Sequence, residues 1–235
     1  KKDFSDYTHL FVMDCDEVNV QPLDMKSVTR AVEFLESEPS HAGVFANQGL
    51  VYYDLWPLRH PQLCPGDAWE EVLDCVVASG MTDQAAFDQT FARRLFSLPP
   101  DGAPLEVDSA FGGLGIYKVA SVLRNRRNFV GYKTKQVPID GIIQDVGWQI
   151  SEHVSFNLGL REQGEKLFIL PYLVNVIPRN HEFAPSFFRS AAFDLRCVSP
   201  QGLSSFPVGP EELCPCRSQK PFKDCHGAKP SVMPS

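Results

Sequence analysis

At 235 residues, 43% of them apolar and 22% charged, the chain is long enough for one α/β domain with a sizeable core and a small appendage. Its formal net charge of -7 argues against a nucleic-acid footprint and a basic membrane patch, and leaves metal-bridged anionic substrates open. No apolar run approaches the length of a membrane span. The seven cysteines are an odd number, at positions 15, 64, 75, 197, 214, 216 and 225. Three crowd into the last tenth of the chain, which reads as reduced thiols plus a metal knuckle and predicts a cytoplasmic compartment. Because the chain opens at Lys1 almost directly on a strand, it reads as an excised piece with further chain upstream.

The first predicted element is a buried strand, Leu10-Phe-Val-Met-Asp-Cys-Asp-Glu17, that surfaces in an acidic pair. In extended chain Asp14 and Asp16 share a face and Cys15 points away. Two carboxylates so close repel, and a bound cation relieves that repulsion. Asp24 then caps a helix reaching about Ser37, with Val28, Ala31, Val32 and Leu35 at helical spacing. A short strand, Gly43 to Ala46, ends at the turn signal Asn47-Gln48-Gly49. The following run to Pro61 is dense in aromatic, amide and basic groups.

Two core-packed helices are predicted next. One opens at Asp67, with Glu70 in a capping-box position and Val72, Val76 and Val77 on one side. The other runs from Asp83 to Phe96, with Phe87, Phe91 and Leu95 in register. Pro99-Pro100-Asp101-Gly102 breaks the chain. Leu105 to Lys118 reads as a strand entering a glycine-rich turn, where Gly112 and Gly113 either let backbone approach a ligand or permit a bulge. Its glycine spacing is not that of a dinucleotide fingerprint. Arg124, Arg126 and Arg127 read as a solvated helix end. Ile139 to Ile150 is predicted as a loop or short helix, Ser151 to Asn157 as an alternating strand, and Lys166 to Pro178 as one or two apolar strands. From Pro178 onward Pro and Ser mark a linker-like tail.

Three segments together resemble the GT-A fold glycosyltransferases of bacterial surface-polysaccharide synthesis. They are Asp14-Cys15-Asp16, the run from Ala46 to His60, and Phe111-Gly-Gly-Leu-Gly-Ile-Tyr-Lys118 followed by Glu152-His153. The resemblance implies a GT-A-like mixed sheet flanked by helices over residues 1–178, incomplete at its amino terminus, because that family's nucleoside-gripping strands precede the acidic pair. It implies a nucleotide-sugar donor and a glycan acceptor, with Mn²⁺ or Mg²⁺ held by Asp14, Asp16 and His153. Asn47, Gln48, Tyr53, Trp56 and Arg59 would line the sugar and acceptor side, and Gly112-Gly113 would bring backbone to the donor sugar. Asp108 or Glu152 would accept the acceptor proton in an inverting transfer, with Asp108 otherwise bonding a sugar hydroxyl. A peripheral position at the inner membrane goes with that role. Taken alone, His153 reads as a half-buried strand histidine bonded to its neighbours; with the resemblance, that reading and the metal ligand stand level.

After a linker over residues 179–210, Cys214-Pro-Cys216 and Cys225-His226 have the spacing of the SEC-C motif within 211–228, ahead of a tail at 229–235. Three thiolates and one imidazole satisfy tetrahedral Zn²⁺ in a closed, structural site. Lys220 and Lys223 give that knuckle a basic surface suited to docking a protein partner. Two other readings compete. In a haloacid dehalogenase-type phosphatase Asp14 is the nucleophile and Asp16 the acid/base, with Ser79, Lys118, Asp140 and Asp145 completing the motifs, although their spacing fits poorly. In the other, the chain is a non-catalytic interaction module carried by the knuckle.

Overall fold

The computed structural model describes residues 6–15, 19, 22–48, 51–139 and 142–175. Asp16, the predicted linker, the cysteine-rich knuckle and the tail lie outside the described residues. The architecture is mixed α/β, a mixed sheet with helices. Contacts divide it into two units, one running to Gly131 and resuming at Ile150, the other the segment 132–149.

The first unit is built on a five-stranded sheet of order β1-β4-β2-β7-β3. Its strands are β1 (His9–Met13), β2 (His41–Asn47), β3 (Leu105–Val107), β4 (Leu114–Lys118) and β7 (Lys166–Val174). β4 runs antiparallel between β1 and β2, with Met13 opposite Leu114 and Phe45 opposite Gly115. β2 and β7 are parallel, and β3 closes the far side antiparallel to β7. The carboxyl ends of β1, β2 and β7 therefore share one end of the sheet with the amino end of β4.

Helix α1 (Met25–Glu36) covers one face. Asp24 caps it by accepting from the backbone N–H of Lys26 and Ser27, as its position in sequence predicts. Val28, Ala31 and Leu35 pack on Val44, Ala46, Leu114 and Ile116. On the opposite face α5 (Glu152–Glu162) meets Tyr117 through Phe156, edge to face at 5.5 Å. Helices α2 (Ala68–Ser79) and α3 (Asp83–Gln89) form a satellite in which Phe91 lies 4.6 Å from Trp69 and 5.1 Å from Phe87, ring centre to centre. The six-residue α4 (Val119–Arg124) follows β4 directly. Among the described residues no helix is long and apolar enough to cross a membrane.

Four expectations are corrected. β1 is an edge strand, not a buried one: Leu10, Phe11 and Met13 are 38%, 44% and 41% exposed. The predicted helix from Asp83 to Phe96 stops at Gln89, where the Thr90 hydroxyl donates to Ala86 O (2.6 Å). After a single 3₁₀ turn, Ala92–Arg94, the chain extends so that Phe96 O accepts from Tyr52 N (2.7 Å). Residues 151–157 are not a strand but the start of α5. Their alternation holds over seven residues only, whereas buried His153, Phe156, Asn157 and Leu160 follow the helical i, i+3, i+4, i+7 spacing. The stretch predicted as loop or short helix is a strand of the second unit, the hairpin β5 (Tyr132–Ile139) and β6 (Ile142–Gln149). Ile139 pairs with Ile142, and the intervening dipeptide Asp140-Gly141 is a hairpin signal in sequence.

Leu35→Ala, at a fully buried contact of α1, is expected to lower unfolding stability by about 2–5 kcal/mol. Met25→Ala, at a side chain 64% exposed, should stay within about 0.5 kcal/mol of the parent. Chemical denaturation midpoints of the two variants measure the difference.

Candidate functional site

The shared sheet end gathers most of the residues singled out by sequence. Asp14 follows β1 directly, and its backbone N–H donates to Gly113 O (3.0 Å). Gly112 and Gly113 have φ of +64° and +79°, the left-handed region that glycine enters without steric cost. A Cβ on Gly112 would sit 2.4 Å from Ala46 O, so the turn is pressed against the last residues of β2. The Gly112 N–H donates to Asp54 Oδ2 (2.8 Å), which ties the turn to the loop after β2.

His153 reaches the same turn from α5. Its ring stacks on Phe111, with centroids 3.9 Å apart and planes 16° from parallel, and Phe129 meets it edge-on at 5.7 Å. Burial among these rings pushes the imidazole pKa down, and neighbouring Glu152, whose Oε1 is 3.8 Å from Nε2, opposes the shift only in part. The ring is thus held neutral, the form that ligates metals. His153 Nδ1 is buried and has no hydrogen-bond partner among the described residues.

Two further buried polar atoms flank the turn in the same condition. The Tyr52 hydroxyl lies beside the Phe111 main chain without hydrogen-bond geometry to it, and burial holds its pKa well above the ordinary phenol value. Asn175, at the end of β7, donates to Gly112 O through Nδ2, while its Oδ1 has no donor among the described residues. Native interiors pair such groups almost without exception, so these three atoms, without a partner among the described residues, are the turn's open polar positions.

Other predicted binding residues are engaged in holding the loop itself. Asn47 is buried; its Nδ2 donates to Leu98 O (2.8 Å) and Pro171 O (2.9 Å), and its Oδ1 accepts from Gln48 N. Pro171 lies in the stretch of β7 that is passed over where the β2–β7 register slips between Ala46 and Asn47. Gln48 Oε1 accepts from the backbone N–H of both Tyr53 and Asp54 (2.9 Å each), curling the loop over it. Arg59 donates to Trp56 O and Leu58 O and pairs with buried Asp67 at 2.9 Å. Tyr53 and Trp56 are half-buried.

Asp108 lies apart from this cluster. It follows β3, whose Val107 pairs with Leu167 near the start of β7, the sheet end opposite Asn175. Its carboxylate accepts from Arg161 Nε (3.1 Å) on the last turn of α5, about 12 Å along the helix from His153 at 1.5 Å per residue. Glu152, by contrast, is exposed on the first turn of α5 beside His153. The phosphatase arrangement is disfavoured by Lys118, which pairs opposite His9 at the other end of β1 from Asp14 and donates to Glu38 O. Sequence reasoning missed Asn19, Tyr52, Asp54 and Asn175. Asp54 and Tyr52 sat inside the recognised run, whereas the two asparagines had no motif to mark them.

Among the described residues no three His, Cys, Asp or Glu side chains gather as a metal-holding group; Asp16 is not one of those residues. The comparisons with known proteins bear on the carboxyl-terminal region. Residues 212–228 match the SEC-C motif. The match contains Cys214, Cys216, Cys225 and His226, all outside the described residues. No curated protein and no solved structure matches the chain.

Two measurements check this account. In metal-free protein the His153 ring should titrate below the ordinary value of about 6.5, followed by NMR. Below that pH the unfolded chain binds the proton first, so stability should fall on acidification, and His153→Gln should flatten that slope. Asn47→Ala, which strands two carbonyls and an N–H, should cost more than about 2 kcal/mol in thermal or chemical unfolding.

Proposed function

We propose that this chain is part of a metal-dependent, GT-A-like glycosyltransferase that moves a sugar from a nucleotide-sugar donor to a glycan acceptor in surface-polysaccharide synthesis. The observation that supports it most directly is the meeting of Asp14, the Gly112–Gly113 turn and the His153–Phe111 pair at one sheet end, beside buried polar atoms that have no partner among the described residues. In open α/β sheets, ligands bind outside the carboxyl ends of strands, which is where these groups lie.

Cleaving a nucleotide sugar leaves negative charge on a diphosphate. Mn²⁺ or Mg²⁺, held by Asp14, Asp16 and His153, supplies Lewis acidity toward that charge when bound. Carboxylate oxygens with a neutral imidazole suit either ion. The glycine turn lets main chain approach the sugar, and the ring faces of Tyr53 and Trp56 stack on it. Glu152 takes the acceptor proton if the transfer inverts, while Arg161 holds Asp108 away from that role. Asn47, Gln48 and Arg59 act indirectly, by fixing the loop that carries the rings. The protein works in the cytoplasm, peripheral at the inner membrane.

The SEC-C match favours a second element beside this one. Cys214, Cys216, Cys225 and His226 bind one structural Zn²⁺, whose coordination is the folding energy of so short a segment, and the knuckle docks a protein partner.

Titrating the chain with UDP and GDP should reveal binding that Mn²⁺ tightens and Asp14→Ala abolishes. Nucleotide affinity indifferent to both would overturn the transferase reading. For the knuckle, elemental analysis should return one zinc per chain in the parent and none in Cys214→Ser.

A further inference from the structure

Arg124, Arg126 and Arg127 stand together where the chain leaves α4 and crosses α5, and the crossing holds them there. Asn125 follows the last residue of α4; its Nδ2 donates to Phe156 O (2.8 Å) on α5, and its Oδ1 accepts from Arg127 N (3.0 Å). The segment so tied rests on the helix at Gly159, where a Cβ would sit 2.2 Å from Asn125 Oδ1 and 2.8 Å from Arg127 Cβ. Glycine inside a helix is less favourable than alanine, yet here its missing side chain is what lets the arginine segment seat.

Beside that seat opens a cleft of about 450 Å³ lined by Arg124, Arg126, Arg127, Gly159, Glu162 and Gln163. The fold uses only part of the positive charge gathered there. Arg127 forks onto Glu162 through Nε (2.9 Å) and Nη2 (2.5 Å). Arg124 Nη2 reaches Glu165 Oε1 (2.5 Å) and Ser121 Oγ (3.4 Å). Arg126 is exposed and has no hydrogen bond or ion pair among the described residues. Three guanidinium groups thus meet two carboxylates, a local excess of positive charge in a chain of net charge -7. The donors left over are Arg124 Nε and Nη1, Arg127 Nη1 and the whole Arg126 fork. They belong to three residues. A carboxylate holds two oxygens in one plane and is met by a single fork, as Glu162 is by Arg127. A tetrahedral oxyanion presents oxygens in several directions, so each arginine can take one.

We propose that this cleft binds a phosphate group, with Arg126 as its principal ligand and Arg124 and Arg127, held by Glu165 and Glu162, as its walls. The site is independent of the transferase reading, because it uses neither Asp14 nor a metal. Guanidinium forks match phosphate oxygens in geometry as well as in charge. Free phosphate and the phosphate end of a small ester share that chemistry.

The test is calorimetric titration of the full chain at constant ionic strength, without added divalent cation, using inorganic phosphate, glycerol 3-phosphate and acetate as probes. Both phosphates should bind, and acetate should bind more weakly than either. Tighter binding of the ester supports an esterified ligand, and tighter binding of inorganic phosphate supports the free ion. Arg126→Ala should weaken phosphate binding about 10-fold or more. Its melting temperature without phosphate should stay within about 2 °C of the parent, since the side chain has no partner to lose. Arg126→Lys, which keeps the charge but not the fork, should fall between the two. Absence of binding by both phosphates overturns the site, as does acetate binding as tightly as phosphate. Parent affinity for phosphate in folded Arg126→Ala overturns it equally.

Discussion

The close seat of Gly112 on Ala46 O governs the arrangement of the candidate site. β4 must enter between β1 and β2 from the end where both of those strands finish, so the chain has to fold back over the sheet within a few residues. A side chain there would collide with the Ala46 carbonyl at 2.4 Å, and φ of +64° would strain any residue but glycine. With glycine in place, Phe111 swings out to stack on His153, and Asp54 can accept from the Gly112 N–H. One steric allowance thus sets the mutual positions of the acidic strand end, the aromatic loop and the late histidine.

Helix α5 is brought to that turn by a buried polar link rather than by apolar packing alone. Asn157 accepts from the Tyr117 hydroxyl (3.1 Å) and donates to Ser109 Oγ and Ala110 O (3.0 Å each). The helix, β4 and the segment leading into Phe111 are therefore fixed to one another by a side chain whose hydrogen-bonding groups are met on both sides. A fully satisfied network of this kind specifies geometry more tightly than contact between aliphatic groups, because each bond tolerates little change in distance or angle. It also fixes which residues of α5 reach the turn: His153 does, whereas Arg161 at the other end of the helix joins Glu106 and Asp108.

The loop after β2 shows how residue types suited to binding can be consumed in architecture. Amides, aromatics and an arginine over residues 47–59 have the chemistry to read a sugar, yet Asn47, Gln48 and Arg59 commit their groups to surrounding backbone and, for Arg59, to Asp67 as well. Backbone that leaves a ladder must find partners elsewhere, and a loop this irregular has many such groups. The basic cluster behaves likewise: Arg124 and Arg127 pair with Glu165 and Glu162 around α5. Glu165, nearly buried, needs that partner, because an unpaired carboxylate in such a place is costly.

Local chemistry made much of the fold legible in advance. The Asp24 cap, the α1 stripe, the Asp67 cap and the apolar run of β7 each depend on neighbours within one or two turns. The start of α5 and the strands within 132–149 depart from expectation, one because seven residues cannot separate a period of 2 from 3.6, the other because its one turn signal, Asp140-Gly141, is only two residues long. The recognised segments around Asp14, residue 47 onward and Gly112 do converge, but sequence could not tell the residues that face outward from those bound into the loop. By itself, then, the sequence determined which short stretches could form elements and which residue types carry metal, sugar or zinc chemistry. Only the tertiary structure decided that β1 lies at an edge, that Asp108 belongs to Arg161, that Asn19 grips the Asp14 carbonyl and that Asn175 grips the Gly112 carbonyl. Those outcomes turn on hydrogen bonds between residues up to 156 positions apart, and no local pattern encodes which distant donor will reach which carbonyl.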